Sequence, residues 1–259
     1  MSDVAVLTTT LYASREVLRF HHAAQMVGNA VSADHRVLVL DASPDQSVAE
    51  GLMNSGAIVR FAGVQRMGAQ RRELFTLAGD IPTLVATPSA RSCRFFLWTE
   101  PEKPDLIRFI PQIMTPLRSG AADIVVVGRT ATSWASCPPL QAASERQANE
   151  VYHQCTGLRL DVMRGPVAFN RKALPFFANC DPSRYGATTG YIQHIAPLEA
   201  HAAGLRVIGV DVDFFYPRAQ YEEEIGPLAP QMAVKWKRQF DECTDAYRKV
   251  SGVLGLPKK

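Results

Sequence analysis

The sequence predicts an α/β fold in which helices flank a Rossmann-like, mostly parallel sheet. Short apolar runs alternate with longer stretches of helical periodicity, which is typical of βα units. Each apolar run is rich in β-branched or aromatic residues and is followed by a polar loop. No internal repeat or linker-like stretch interrupts the 259 residues. We therefore predict one domain over residues 1–225 and a C-terminal helical extension over residues 226–259.

Composition excludes several classes of protein. With 47% hydrophobic and 20% charged residues, the chain is too apolar to be disordered. A formal net charge of +3 is too small to indicate a nucleic-acid partner. The 5 cysteines contain no C-x-x-C pair, so they suggest neither a disulfide framework nor a zinc site, and a cytoplasmic setting is the simplest expectation. No apolar run approaches the roughly 20 residues that span a bilayer, so we expect no membrane insertion.

The predicted elements follow in chain order. The strands are Val4–Leu7, Val37–Leu40, Phe95–Trp98, Ile124–Val127 and Arg206–Val212. The helices are Ser14–Val27, Ser47–Asn54, Gln70–Ala78, Leu106–Arg118, Ser144–Gln154 and Tyr191–Ala203. Ser14 and Ser47 suit the N-cap position, and Gly204 suits the end of a helix.

The C-terminal segment has a one-sided apolar pattern. Its large residues recur at spacings of three and four, which places them on one face of a helix: Trp236, Phe240, Cys243, Tyr247 and Val250. This pattern predicts a helix docked on the core. A contact between two copies of the chain, or a surface for an anionic partner, remains the alternative.

Ligands of a doubly wound sheet bind beyond the carboxyl ends of its strands. The loops there begin with Thr8-Thr9-Thr10, Asp41-Ala42-Ser43-Pro44-Asp45, Thr99-Glu100-Pro101-Glu102-Lys103 and Gly128-Arg129-Thr130. None of them is a G-x-G-x-x-G or Walker A loop, which disfavours a dinucleotide or P-loop site.

One of these loops, and a segment between the second and third predicted strands, could carry chemistry. Glu100 and Glu102 could bind a hard divalent cation, because Mg²⁺ takes one or two carboxylates together with phosphate oxygens; the alternative is a solvated acidic turn. Arg66, Arg71 and Arg72 surround Gly68 at the start of a helix. They could bind a diphosphate, or they could lie on a solvated helix surface.

In this order, the loops resemble those of the GT-A-fold glycosyltransferases, in particular the family-2-like group that uses nucleotide-diphosphate sugars. The resemblance covers residues 4–217. The segment from Asp41 to Asp45 resembles a D-G-S-x-D loop, that from Gly68 to Arg72 a G-x-x-x-x-R-N segment, and Glu100-Pro101-Glu102 a D-x-D metal motif. Ala122 to Arg129 is similar to an A-D-I-V-x-G-x-R strand, and Thr156 to Leu174 to the segment at the sugar and acceptor edge.

The resemblance implies a site and a cofactor. The donor would be bound by Thr8, Thr10, Asp41, Arg66, Gly68, Arg71, Trp98 and Gly165. Asp41 would contact the nucleobase, and Gly165 would let the donor sugar approach the backbone. Mg²⁺ or Mn²⁺ would be bound by Glu100 and Glu102, with Asp211 or Asp213 in place of the family's late histidine. Asp161, Asp181 and Arg129 would serve catalysis.

The chain departs from the family at two points. Both metal-motif aspartates are replaced by glutamates, and the general-base carboxylate that inverting members place before a late helix is missing, so Asp181 would have to act from a shifted position. The run from Tyr185 to Ile192 is instead similar to retaining members, such as the glucosyl-phosphoglycerate and mannosylglycerate synthases. Whether transfer inverts or retains therefore stays open.

These observations predict a glycosyltransferase that moves a sugar to a small-molecule or glycan acceptor, with a homodimer as one option. A protein that binds a nucleotide sugar without catalysis is the alternative. A sugar nucleotidyltransferase is less favoured, because the loop after the first strand lacks the glycines of that class. The sugar, the base and the acceptor stay open.

Overall fold

A seven-stranded mixed sheet forms the centre of the molecule. The computed structural model describes residues 2–80 and 93–257. The strands are β1 (Val4–Thr10), β2 (Arg36–Asp41), β3 (Ile58–Phe61), β4 (Phe95–Trp98), β5 (Ile124–Arg129), β6 (Val167–Asn170) and β7 (Val207–Val212). Their order across the sheet is β3-β2-β1-β4-β6-β5-β7. Only β6 runs antiparallel to its neighbours, so the described sheet is mostly parallel, as predicted.

Helices cover both faces of the sheet. They are α1 (Leu18–Ser32), α2 (Gln46–Asn54), α3 (Met67–Gly79), α4 (Ile110–Arg118), α5 (Ala131–Ala135), α6 (Pro139–Thr156), α7 (Leu174–Ala178), α8 (Ile192–Ala202), α9 (Arg218–Ile225) and α10 (Ala229–Leu254). Short 3-10 segments span Pro104–Phe109, Val162–Arg164 and Pro182–Tyr185. No helix of the described chain is long and apolar enough to cross a membrane.

All five predicted strands are present, but β3 and β6 were not predicted. Among the described strands, the four-residue β3 pairs only with β2. It contains Arg60, so it lacks a continuous apolar run. The predicted helix Leu106–Arg118 is divided into a 3-10 segment and α4. Neither predicted serine is an N-cap: α1 begins after Val17, and at α2 the Asp45 side chain accepts a hydrogen bond from the backbone of Ser47.

Alternating side chains of the strands build one core on each face of the sheet. Leu7 and Phe96 belong to the core beneath α3, α6, α8 and α10. Val6 and Leu97, their neighbours in sequence, belong to the core beneath α1, α2 and α4. Both faces of the central strands are therefore buried, which explains their continuous apolar runs.

The C-terminal helix α10 packs on the first of these cores. Cys243, Tyr247 and Val250 are fully buried, and the Tyr247 ring meets Tyr152 of α6 edge-on, with 4.9 Å between the centroids. This confirms the docked helix that the one-sided pattern predicts.

Strand direction determines which residues meet at the functional edge. The carboxyl ends of β1, β4 and β5 point to the same edge, because the antiparallel β6 lies between β4 and β5. For the same reason β6 begins at this edge, with Val167 opposite Trp98. The segment before β6 thus lies beside the loop that follows β4.

Candidate active site

A cavity of about 270 Å³ opens at this edge of the sheet. Its charged lining residues are Arg19, Arg71, Lys103, Arg129, Arg164, Lys235, Glu100, Glu102 and Glu145. Six of them are cationic and three are anionic. The cavity is therefore suited to an anionic ligand.

Arg71 lies buried in the second turn of α3. Its Nη1 atom donates to the carbonyl oxygen of Gly190 at 3.0 Å and to Gln193 Oε1 at 2.8 Å. The guanidinium lies over the rings of Trp98 and Tyr191, 4.6 Å and 5.4 Å from their centroids. Its Nε atom is buried without a hydrogen-bond partner. Burial also lowers the pKa of Arg71.

Gly68 allows α3 to approach the loop before α8. A Cβ atom at this position would lie 3.3 Å from the Cα atom of Gly190. At Gly190, a Cβ atom would lie 2.7 Å from the end of the Met67 side chain. In this structure, the close approach that Gly68 permits is thus to protein backbone, and it brings the Gly190 carbonyl within reach of Arg71.

Lys103 and Glu100 form an ion pair on the cavity wall. The Nζ atom of Lys103 lies 2.5 Å from Glu100 Oε2 and 3.1 Å from the carbonyl oxygen of Arg164. The other side of the Glu100 carboxylate lies against Gly165, whose φ is +101° and where a Cβ atom would lie 2.7 Å from the carboxylate carbon. Burial alone would raise the pKa of Glu100, but the charge and hydrogen bond of Lys103 and the charge of Arg71 lower it.

Arg164 supplies a second buried guanidinium with free donors. The residue is 5% exposed, its Nε and Nη2 atoms have no hydrogen-bond partner, and its guanidinium lies 4.2 Å from the ring centroid of Phe214. Burial, together with the charge of Arg129, lowers the pKa of Arg164 to about 10. A buried guanidinium without acceptors is costly, so a bound anion would be strongly favoured here.

Arg129 lines the cavity but is already neutralised. Its Nε and Nη2 atoms donate to the two oxygens of Asp161 at 2.7 Å and 2.8 Å, and Nη1 donates to Glu145 at 2.5 Å. Burial would lower its pKa, yet the two carboxylates raise it. Asp161 also accepts from Asn149 at 2.7 Å. Arg129 is therefore held between two carboxylates: Glu145 lines the cavity, and Asp161 does not.

Glu102 connects the loops after β1 and β4. Its Oε1 atom accepts a hydrogen bond of 3.0 Å from the hydroxyl of Tyr12. Burial and the charge of Glu102 raise the pKa of Tyr12, which keeps the phenol protonated as a donor. No ion pair is found for Glu102 within the described ranges, in contrast to Glu100 and Glu145.

The structure divides the four predicted metal ligands among different places. Glu100 and Glu102 line the cavity. Asp211 lies exposed on β7 in a separate surface cleft that also contains Asp161, and burial together with the charge of Asp161 raises its pKa. Asp213 accepts from the hydroxyl of Thr130 at 2.7 Å. Among residues 2–80 and 93–257, no group of three or more histidine, cysteine or carboxylate side chains is placed to bind a metal ion.

The remaining donor-site predictions lie at the ends of β1, β2 and α3. The hydroxyl of Thr8 donates to the carbonyl oxygen of Thr99 at 2.8 Å, and that of Thr10 donates to Asp41 Oδ1 at 2.7 Å. Asp41 Oδ2 is buried without a partner. Arg66 is the exposed residue just before α3.

Arg72 and Asp181 also lie away from the cavity. Arg72 donates to the carbonyl oxygen of Cys180 at 3.2 Å. The Asp181 carboxylate accepts from the backbone of Ser183 at 3.1 Å and caps a 3-10 segment. Neither residue lines the cavity, so the structure brings neither of them to the charged edge.

Several lining residues were not predicted from the sequence. The sequence pattern assigned no binding role to Lys103, which follows Glu102, or to Arg164, which lies within the segment from Thr156 to Leu174. The helix α10 contributes a whole wall through Met232, Lys235, Trp236 and Gln239. Counted from Met232 as position i, these residues fall at i, i+3, i+4 and i+7, and this helical spacing is the signal that could have identified a second functional face on α10.

The sheet order, the single antiparallel strand and the cationic cavity at the carboxyl edge define a GT-A-type fold, which confirms the predicted fold class. Solved structures of this fold superpose on nearly the whole chain. The glucosyl-3-phosphoglycerate synthase of Mycobacterium tuberculosis is 16% identical, with 99% of this chain and 82% of that chain covered and a TM-score of 0.54. For the same enzyme in complex with phosphoglyceric acid, the identity is 15%, the coverage 99% and 81%, and the TM-score 0.52.

The mannosyl-3-phosphoglycerate synthase from Rubrobacter xylanophilus is 14% identical, with 92% of this chain and 74% of that chain covered and a TM-score of 0.54. No protein-family model matches the chain, and no curated protein matches it. At these identities the likeness shows the fold.

Proposed function

We propose that the protein is a glycosyltransferase that moves a sugar from a nucleotide-diphosphate sugar to a hydroxyl of a small-molecule or glycan acceptor. The observation that carries the proposal is the pair of buried guanidinium groups of Arg71 and Arg164: each has an N–H group without a hydrogen-bond partner, and both residues line the same cavity. Two proteins with the same fold are a glucosyl-3-phosphoglycerate synthase and a mannosyl-3-phosphoglycerate synthase, which supports sugar transfer as the class of reaction.

The charges match the demand of this reaction. As the bond between the anomeric carbon and the phosphate oxygen breaks, negative charge develops on the departing diphosphate. Arg71, Arg164 and Lys103 are preorganised cations that would stabilise this charge without rearrangement. They lie on three different segments, so they can surround a diphosphate instead of contacting it from one side.

The nucleoside would extend from the diphosphate toward β2. Asp41 has an unpartnered carboxylate oxygen at the end of that strand, which supports the role of a hydrogen-bond acceptor for the base. Opening of the surrounding side chains is required, because this oxygen is buried. The α10 wall would contact the acceptor side of the cavity.

The acceptor hydroxyl must lose a proton as its oxygen bonds to the anomeric carbon. Glu100 and Glu145 are engaged in ion pairs with Lys103 and Arg129. Glu102 accepts only the Tyr12 hydrogen bond among the described contacts, which supports it as the group that takes the proton. Asp181 is not part of the proposal, since it caps a distant turn.

The complex of the Mycobacterium tuberculosis synthase contains phosphoglyceric acid. An acceptor that carries a carboxylate or phosphate is accordingly part of this proposal. The excess of cationic lining residues supports it, because Arg19 and Lys235 line the same cavity in addition to Arg71, Lys103 and Arg164.

Thermal unfolding with UDP, GDP, ADP and CDP, each against its monophosphate, tests the site. We expect one nucleoside diphosphate to raise the melting temperature more than its monophosphate does. Labelled sugars on that nucleotide then test transfer. Binding without turnover would favour the non-catalytic alternative, and no stabilisation by any nucleotide, with or without Mg²⁺ or Mn²⁺, would contradict the proposed function.

A further inference from the structure

Resting on the proposed function, we propose that the Lys103 ammonium is the cation that neutralises the diphosphate, and that this cavity binds a nucleoside diphosphate without a divalent metal. Three features of the cavity support this proposal: the position of Lys103, the contacts of the two glutamates at the metal motif, and the distribution of the other carboxylates.

Lys103 is placed to contact a ligand in the cavity. Its Nζ atom is bound to Glu100 Oε2 at 2.5 Å and to the carbonyl oxygen of Arg164 at 3.1 Å. An ammonium group has three N–H donors. Two are used by these partners, so one remains for a ligand in the cavity that Lys103 lines.

Glu100 is already paired with a cation, Lys103. One of its oxygens is the Lys103 partner, and the other lies against the Cα atom of Gly165. A divalent cation bound to the same carboxylate would stand close to the lysine charge, and like charges at such a distance repel strongly in a partly buried site. The ion pair therefore competes directly with a metal ion for Glu100.

The other predicted metal ligands do not gather around Glu100. Glu102 is a hydrogen-bond acceptor for Tyr12 at 3.0 Å. Asp211 and Asp213, the residues expected to complete the metal site, lie on β7 and just after it, outside the cavity lining. Within the described part of the chain no three such ligands converge.

Two arginines beside Lys103 supply further positive charge. Arg71 and Arg164 each retain a buried N–H atom without a partner, and both residues line the cavity beside Lys103. A bound diphosphate would thus meet three fixed positive charges from three segments of the chain. These charges can supply the neutralisation for which a metal ion is otherwise needed.

Calorimetric titration with the best-binding nucleoside diphosphate of the panel tests the inference, in a chelating buffer and in Mg²⁺ or Mn²⁺. We expect the wild-type chain to bind in the chelator, with affinity changed less than about threefold by the metal. Lys103→Met should weaken binding in the chelator by about tenfold to a hundredfold, the loss typical of a charge-assisted hydrogen bond. Lys103→Arg keeps the charge and should retain most of the affinity, and Lys237→Met, an exposed lysine of α10, should retain all of it.

The outcomes separate this inference from the proposed function. Binding by the wild-type chain only when Mg²⁺ or Mn²⁺ is present would overturn the inference and leave the function standing. Equal affinities of Lys103→Met and wild type in the chelator, with both melting cooperatively, would also overturn it. No binding of any nucleoside diphosphate under either condition would instead reject the proposed function. Titration of Mn²⁺ followed by its electron paramagnetic resonance signal adds a readout that does not depend on turnover: the wild-type chain should bind no ion beyond those that the nucleotide itself binds.

Discussion

The carboxylate of Glu100 lies directly against the Cα atom of Gly165, in a space that any side chain would fill. Gly165 is placed there by the start of the antiparallel β6, and Glu100 by the end of β4. The glycine thus determines where the Glu100–Lys103 ion pair can lie. Sequence resemblance implied a different use for Gly165, namely the close approach of the donor sugar.

Gly165→Ala should displace the Glu100 carboxylate and with it Lys103. A Cβ atom would lie 2.7 Å from the carboxylate carbon, and alanine at a φ of +101° adds backbone strain on the order of 1–2 kcal/mol. We expect a lower melting temperature and weaker nucleoside diphosphate binding. Gly186→Ala is the matched control: its φ is +69°, and nothing lies within 4 Å of the added atom. That variant should lose stability but keep affinity; equal affinity losses in both would show that strain alone is responsible.

Replacing Arg71 tests the anion site itself. Arg71→Met should weaken nucleoside diphosphate binding by about tenfold to a hundredfold, because a charge-assisted hydrogen bond is lost from a buried site. The neighbouring Arg72→Met is the control, since Arg72 donates to the carbonyl oxygen of Cys180 and does not line the cavity. Calorimetric titration measures both. If Arg72→Met were the more damaging change, the cavity would be the wrong place for the diphosphate.

Arg71 and Arg72 show which part of the site can be predicted from the sequence and which part cannot. The motif placed Arg66, Arg71 and Arg72 near one helix start, and α3 does begin there. A helix turns by about 100° per residue, so adjacent arginines point in different directions. Which one enters the cavity depends on the loop at Gly190, more than a hundred residues away in sequence, and no local pattern reveals this.

The same limit applies at the strand ends, where the sequence predicts the position of a residue but not the face to which its side chain points. Successive side chains of a strand point to opposite faces. Val212 is buried and Asp211 is exposed, so the position of Asp211 at a carboxyl end was predictable while its face was not. Lys103 could be placed near Glu100 from the sequence, but its role depends on the Arg164 carbonyl, which arrives with β6.

Glu102→Gln tests the proposed proton acceptor. The amide keeps an oxygen for the Tyr12 hydrogen bond but cannot take a proton, so kcat should fall by about 10²–10⁴-fold with little change in KM. Tyr12→Phe removes the hydrogen bond and leaves the carboxylate, and it should reduce kcat far less. Steady-state transfer rates check both variants. An unchanged kcat in Glu102→Gln would remove this residue from proton transfer.

Asp41→Asn tests the proposed base contact. The buried, unpartnered Oδ2 atom is replaced by an N–H donor, so acceptance of a hydrogen bond from the base is lost. We expect about tenfold weaker binding of the nucleoside diphosphate and unchanged binding of inorganic pyrophosphate, which has no base. Comparing the two ligands on one variant separates base recognition from diphosphate recognition. Parallel losses for both ligands would assign Asp41 to the architecture of β1 and β2, where it already accepts from Thr10.

His194 should make folding stability depend on pH below about 6.5. The residue is 2% exposed, and burial, with the charge of Arg71 as a second cause, lowers its pKa to about 3. The folded state therefore binds a proton less readily than the unfolded state, whose histidine has its ordinary pKa. His194 contributes stability that is present above the unfolded pKa and is lost as the pH falls toward the folded one.

Denaturant unfolding between pH 7.5 and pH 5 measures this dependence. A single proton difference gives a slope of about 1.4 kcal/mol per pH unit in the free energy of unfolding. His194→Gln should remove that part of the slope, although it also disturbs the 2.8 Å contact between His194 Nδ1 and the Tyr247 hydroxyl and lowers stability at every pH. His201→Gln, on the same helix α8 but only partly buried, should leave the slope unchanged. A His194→Gln curve parallel to the wild-type curve would show that other groups cause the acid sensitivity, because the slope reports proton uptake and the offset reports the lost contact.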